Sequence, residues 1–409
     1  QVTSIGPQAF VDAKIVSVSL TGVETIEPLA FMGSLITEII LDDSLVSIGD
    51  DAFNGCHHLV NVVKNGCKLN ISAGSANNGG IAFHAMDVQE DPDRLVSVVD
   101  NKVFFVDPKG ELNLVGASAD QDYILLLHDY TIDGKTYDSY VIAPYAFEEY
   151  TPAERVYMTD SVKAIGEYAF RDCENVNEIT LPASIQFINP YVFAGCENIV
   201  TVQITSASPS VDFTDTYKNT PWYLSRTNGL TIIIDNLVTS IGSKMFYGIE
   251  PEAVAIYNDS TTIASDAFSA TFYEDGVATT DIAGKAFTMQ NGKLDRAHMV
   301  TFHIVDILMK VNIIAMIEVV PDGEYAYPYH TYHQAPSGYV FKFWSADGVN
   351  EYDFSVPITT CVDLYPVYEH FLPVVTIEPM FGPDSIGTRT YAVEYGSVFK
   401  IPYQDFLSP

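Results

Sequence analysis

The side chains most suited to chemistry are five cysteines (Cys56, Cys67, Cys173, Cys196, Cys361) and a few clustered histidines and aspartates. Cysteine near histidine would suit a thiolate nucleophile or a zinc site. The cysteine spacing fits no zinc or disulfide framework. Cys56, Cys173 and Cys196 each stand three residues after a phenylalanine, Phe53, Phe170 and Phe193. A catalytic residue has no reason to recur in phase, so these are expected to be small buried hydrophobes, and all five thiols to be free. Cys173 and Cys196, if stacked, could approach disulfide distance, but the buried free thiol is the expected state. His57-His58 and His330-x-x-His333 invite a metal reading, yet no third ligand is at useful spacing, so exposed loop histidines are expected. Asp42-Asp43, Asp50-Asp51 and Asp91 with Asp93 lack the alternating ligands and central glycine of a calcium loop and are expected to form a solvated acidic face. Trp222 and Trp344 could stack on sugars; the competing role for each is in a core. With no P-loop, Rossmann glycine run, nucleophile elbow or H-E-x-x-H, the expectation is a chain with no catalytic residue, no metal ligand and no cofactor.

The elements that must carry these residues announce themselves by a period. An Ile followed five residues later by Phe recurs as Ile5–Phe10, Ile26–Phe31, Ile48–Phe53, Ile142–Phe147, Ile165–Phe170, Ile188–Phe193, Ile241–Phe246 and Ile263–Phe268. The Phe-to-Phe steps run 21 to 23 residues, apart from one of 94 and one of 53, which degenerate or enlarged repeats could fill. Alternating apolar residues follow in phase, Val176, Ile179 and Leu181 in one copy and Ile199, Val202 and Ile204 in the next. Each turn therefore reads as a short strand, a corner, a second extended segment and a compact turn at the Ala-Phe pair. No such turn can bury its apolar side alone, but stacked turns share one core, with the Phe residues as an interior column. Between Lys64 and Asp138 the period fades, and Asn101–Gly116 reads as a β-hairpin around Pro108-Lys109-Gly110.

The phased pattern I-G-x-x-A-F-x-x-C-x-x-L-x-x-I-x-L-P, best seen from Val162 to Ile204, resembles the BspA-like leucine-rich repeat. The resemblance covers about residues 1–270, with an irregular or hairpin insertion at about 64–138, and the segment Asn219–Leu230 looks like an insertion that recurs in such proteins. It implies a surface-exposed, adhesive protein whose targets vary. Residues 271–298, with turn signals Glu274-Asp275-Gly276 and Gln290-Asn291-Gly292, are expected to cap the solenoid. Residues 299–370 read as short strands, and Tyr339-Val340-Phe341, Trp344, Asp347-Gly348, Tyr352-Asp353-Phe354 and Leu364-Tyr365 resemble the Listeria–Bacteroides repeat, a small β-grasp-like module of surface proteins. Residues 371–409 look like a further, incomplete β module. The fold class expected is mainly β: a leucine-rich-repeat solenoid followed by one or two small β modules.

Composition narrows the function. Of 409 residues 47% are hydrophobic, enough for a core, and 53 acidic against 20 basic residues give a formal charge of −33. Such a surface repels phosphate backbones and anionic lipid, which disfavours nucleic acid and membrane surfaces as partners. The most apolar stretch, Ile304–Val320, is interrupted by Asp306, Lys310, Asn312 and Glu318 and is too polar to cross a bilayer. No signal peptide is visible at Gln1, and a leader is expected to have been removed. Within each strand the residues between the buried positions should point outward. In the well-matched turns these are Glu38 and Ile40, Asn61 and Val63, Glu178 and Thr180, and Thr201 and Gln203. Stacking places them in two neighbouring columns, the expected binding face. The function expected is non-catalytic binding or adhesion at the cell surface or outside the cell, to an extracellular protein or matrix component. The alternative is a glycan-binding accessory protein using aromatic platforms.

Overall fold

The structure, a computed structural model, describes residues 2–182, 184–185, 187–205, 210–211, 220–222, 228–305, 312–329, 335 and 339–370, with strands Val374–Ile377, Met380–Phe381, Asp384–Ser385 and Arg389–Ala392 beyond them. His330, His333, half of the Asn219–Leu230 segment and most of residues 371–409 lie outside the described residues. The chain divides into two compact units, Gln1–Asp295 and Arg296–Pro409. Among the described residues the only helical element is one 3-10 turn, Asn78–Gly80. The expectation of a mainly β fold built from stacked coils holds.

The first unit contains two stacks. In the first, strands Ser17–Ser19, Glu38–Ile40, Asn61–Val63 and Asp87–Gln89 run parallel in register, and the short strands Ser4–Ile5, Thr25–Ile26 and Ser47–Ile48 form a second parallel sheet. In the second stack Tyr123–Leu125, Arg155–Tyr157, Glu178–Leu181, Thr201–Ile204, Asn228–Ile234 and Glu250–Ile256 make one parallel ladder. The opposite ladder begins with Ser97–Val99, passes through the expected hairpin, Lys102–Val106 against Leu112–Ala117, and continues through Tyr140–Ile142, Val162–Ile165 and Phe187–Ile188. The hairpin is therefore part of a ladder. Among the described residues no strand of the first stack pairs with a strand of the second, so the solenoid is interrupted where its period fades.

The repeat pattern has a physical cause at each position. The phenylalanines stack face to face across turns, Phe10–Phe31–Phe53 at 5.0 Å in one column and Phe147–Phe170–Phe193 at 5.2 and 5.6 Å in the other. At each corner the Phe N–H donates to the next turn, as from Phe31 to the Ala52 carbonyl (2.8 Å) and from Phe170 to Val192 (2.9 Å). Before seven of the eight phenylalanines the residue two positions back is left-handed: Gln8, Leu29, Asp51, Tyr145, Tyr168, Tyr191 and Lys244 have φ from 54° to 62°. The glycine of Ile-Gly is needed because a Cβ at Gly49 or Gly166 would lie 2.4 Å from the backbone nitrogen of Pro28 or Pro144 in the preceding turn. The cysteine thiols serve the same stacking. Cys56 donates to the Phe31 carbonyl (2.9 Å), Cys173 to Phe147 (3.0 Å) and Cys196 to Phe170 (3.0 Å). All five thiols are free; four are buried and Cys361 is exposed. Burial pushes the Cys173 thiol well up, which leaves it a poor nucleophile.

The 53-residue step conceals a turn. Trp222 takes the phenylalanine position, stacked 4.7 Å from Phe193 and 6.2 Å from Phe246, with Phe193 N–H donating to Pro221 (2.8 Å). It is 2% exposed and its indole N–H donates to Met245 (2.9 Å), so it is a core residue. At the far end Phe268 meets Phe272 edge-on and Phe272 meets Phe287, while Ala286–Gln290 adds antiparallel to Glu250–Ile256. Phe272, Ile282 and Phe287 are buried in the same core as the repeat phenylalanines of the second stack.

In the second unit the later part of the strand Lys293–Val305, from Ala297 on, pairs antiparallel with Asn312–Pro321 and parallel with Val362–His370, which pairs antiparallel with Tyr339–Ser345. Val300, Phe302, Val320, Trp344 and Leu364 form its core. Trp344 is 3% exposed and donates to the Tyr329 carbonyl (2.8 Å). Neither tryptophan is a sugar platform.

Candidate functional site

The two expected surface columns exist as register but not everywhere as surface. Glu38 lies opposite Asn61 and Ile40 opposite Val63; Glu178 lies opposite Thr201 and Thr180 opposite Gln203. In the second stack the face is open. Glu178 is exposed, and Thr180, Thr201 and Gln203 are half-buried. The same columns continue through Arg155 and Tyr157 to Tyr123 and Leu125, all exposed. Arg155 donates to the Tyr157 hydroxyl (3.3 Å), and Gln203 to Asp235 (3.3 Å). The result is a mixed aromatic, charged and amide surface on a parallel sheet.

In the first stack the expectation of exposure is corrected. Glu38, Asn61 and Val63 are buried and Ile40 half-buried. The segment after Gln89 covers them: Val96 N–H donates to Glu38 Oε2 (2.9 Å), and Asn61 Nδ2 donates to the Arg94 carbonyl (2.9 Å). Ser17 and Asn61 also donate to Glu38, at 2.8 and 2.9 Å, and Gln89 Nε2 to Asn61 Oδ1 (2.7 Å). A buried carboxylate must have its acceptors filled, and here each oxygen is. Glu38 and Asn61 therefore bind the covering segment.

The histidine pair is also corrected: His58 is buried and His57 half-buried. They lie where the two stacks meet. His57 Nδ1 bonds to Glu148, 91 residues away, and Arg171 pairs with the same carboxylate. The His57 ring packs 4.4 Å from Tyr145, and His84 packs 5.2 Å from it. Tyr145, Tyr168 and Tyr191 then stack at 5.2 and 5.0 Å, with Arg171 4.8 Å over Tyr168. Tyr168 is pushed up to about 12 by burial and by Glu167 beside it. Sequence reasoning missed this seam; the in-phase tyrosines two residues before Phe147, Phe170 and Phe193 were its visible trace.

Burial, then His57, holds His58 down to about 4 from the ordinary 6.5. The unfolded chain therefore takes up this proton first, and stability contributed by neutral His58 is full above pH 6.5 and is lost as pH falls towards 4. Melting temperature is expected to drop through that window, and His58→Gln to flatten the drop; an unchanged profile in the variant would assign the loss to other groups.

Among the described residues no group of three or more His, Cys, Asp or Glu is placed to share a metal ion, and no helix is long and apolar enough to cross a membrane. Asp42 accepts from Gly22 N–H (2.7 Å) and Ser44 N–H (3.0 Å), which makes it a turn residue.

The BspA type leucine-rich repeat region family matches residues 1–77 and 140–275, in six copies, more than half of the chain. The chain belongs to the BspA-type leucine-rich repeat family. In this BspA-type protein the stretch between the two matched regions, 78–139, is where the two stacks are interrupted and where the hairpin enters. Similar solved structures include a leucine-rich repeat protein from Bacteroides capillosus, 28% identical over 34% of this chain and 98% of that one, with a TM-score of 0.29. The pneumococcal vaccine antigen PcpA is 16% identical over 68% of this chain and 80% of that one, with a TM-score of 0.36. A leucine-rich cell surface protein from Faecalibacterium prausnitzii is 17% identical over 52% and 77%, with a TM-score of 0.26. No curated protein matches the chain.

Proposed function

We propose that this chain is a non-catalytic binding or adhesion protein of the cell surface or extracellular space, gripping an extracellular protein or matrix component across the sheet face of its second stack. The observation that carries the reading is the open face itself. From Tyr123–Leu125 to Thr201–Ile204 the outward residues of four parallel strands lie in register with no covering segment on the exposed Tyr123, Arg155, Tyr157 and Glu178. Solenoids use such repeating faces for extended ligands. The aromatic and arginine residues at one end supply the kinds of side chain that act as binding anchors. The net charge of −33 favours a neutral or basic partner. The family resemblance supports a surface location. The second unit fits this setting as a β-grasp-like repeat over residues 299–370, a reading supported by its central parallel pair flanked by two antiparallel pairings.

The test replaces Glu178, Thr180, Thr201 and Gln203 together by Lys. Binding of wild type and variant to immobilised host matrix proteins is compared by surface plasmon resonance. Affinity is expected to fall about tenfold or more, the size of a small hot-spot loss, while the melting temperature holds. Unchanged binding would move the interface off this face.

A further inference from the structure

At the seam a cavity of about 720 Å³ opens between the corner of the third repeat and the segment that follows it. Its walls carry Asp50, Asp51, Asn54, Asn77, Phe83 and His84. Its floor is backbone. Gly79 sits at φ 61°, and a Cβ there would lie 2.4 Å from the Gly49 carbonyl, so the close approach admits only glycine. The volume is that of a small-molecule site.

The wall chemistry is specific. Asp50, Asp51, Asn54, Asn77 and His84 make no side-chain hydrogen bond or ion pair among the described residues, although each borders the same cavity. Carboxylates only accept, amides both donate and accept, and a neutral imidazole does one of each. Burial, then His57, holds His84 down to about 4, so its ring is neutral at pH 7. Phe83 is 54% exposed, a large ring held edge-to-face on His84 at 4.8 Å and open to the cavity mouth. His84 is in turn braced on Tyr145.

We infer that this cavity binds the end of a neutral saccharide chain. Sugar hydroxyls donate and accept at once, which matches free carboxylates beside free amides. A sugar ring presents an apolar C–H face, which matches an exposed phenyl ring whose face is electron-rich. Asn54 and Asn77 add amide N–H donors, which a simple cation would not use. An acidic sugar would meet Asp50, Asp51 and the strongly negative surface. The site is separate from the open sheet face and does not depend on its role.

Titration calorimetry of the full chain with cellotetraose and tetra-N-acetylchitotetraose, against 3′-sialyllactose and tetralysine, tests this. At least one neutral tetrasaccharide is expected to bind. Phe83→Ala, Asp51→Asn and Asn77→Ala are each expected to weaken it about tenfold with unchanged melting temperature, as loss of one aromatic or polar contact does. Asn77 has ordinary extended backbone, φ −65° and ψ 166°, so its variant carries no folding burden. The sheet-face lysine variant should bind as wild type does. The inference is overturned if neither neutral sugar binds, if sialyllactose or tetralysine binds more tightly, or if the three cavity variants bind like wild type.

Discussion

Phe170→Ala is expected to destabilise the first unit by about 3–5 kcal/mol, the cost of truncating a fully buried phenylalanine. Phe170 is 1% exposed and sandwiched between Phe147 and Phe193 at interplanar angles of 8° and 15°. Its backbone is tied on both sides, the N–H to Val192 and the carbonyl to the Cys196 thiol. The neighbouring rings are held by their own turns and cannot slide in to fill the space, so most of the cavity should remain. Urea unfolding followed by circular dichroism measures it. A variant melting within a degree or two of wild type would show that the column does not carry the core.

Glu148→Ala is expected to cost about 2–4 kcal/mol. Removing one partner of a buried ion pair leaves the others desolvated, and the figure is reduced here because His57 and Arg171 keep some contact with water. Glu148 has a side chain 6% exposed, while those of His57 and Arg171 are 27% and 28% exposed. The double replacement Glu148→Ala with Arg171→Met should recover part of the loss, because a well-packed apolar pair can replace a buried ionic one. If the double variant is less stable than Glu148→Ala alone, Arg171 matters through its stacking on Tyr168.

What was legible in the sequence was what repeats. Ile165, Phe170, Cys173, Ile179 and Leu181 recur because each turn solves the same packing problem, so the buried columns and the strand register could be read from spacing. Trp222 escaped because the turn that carries it is enlarged and uses a different aromatic. The burial of Glu38, Asn61 and Val63 escaped for another reason: Arg94 and Val96, which cover that face, belong to a stretch with no period, and nothing in the strands records what lies over them. The seam was hidden by distance, since His57 and Glu148 are bonded across 91 residues. The cavity needed both the hidden seam and the backbone approach at Gly79, neither of which leaves a pattern.

The corners of the solenoid carry one further consequence. Two residues before seven of the eight repeat phenylalanines the chain is left-handed with side chains of every kind: Gln8, Leu29, Asp51, Tyr145, Tyr168, Tyr191 and Lys244. The fixing bonds are main-chain ones, from Leu29 N–H to Asp50, Tyr145 to Glu167, Tyr191 to Thr220 and Lys244 to Asp266. Left-handed backbone is costly for every residue but glycine, and these bonds hold it without consulting the side chain. Amide, aliphatic, acidic, aromatic and basic groups have thus been exchanged along one edge while the turns beneath stayed the same. That edge varies from copy to copy along the chain, and the scaffold need not change with it.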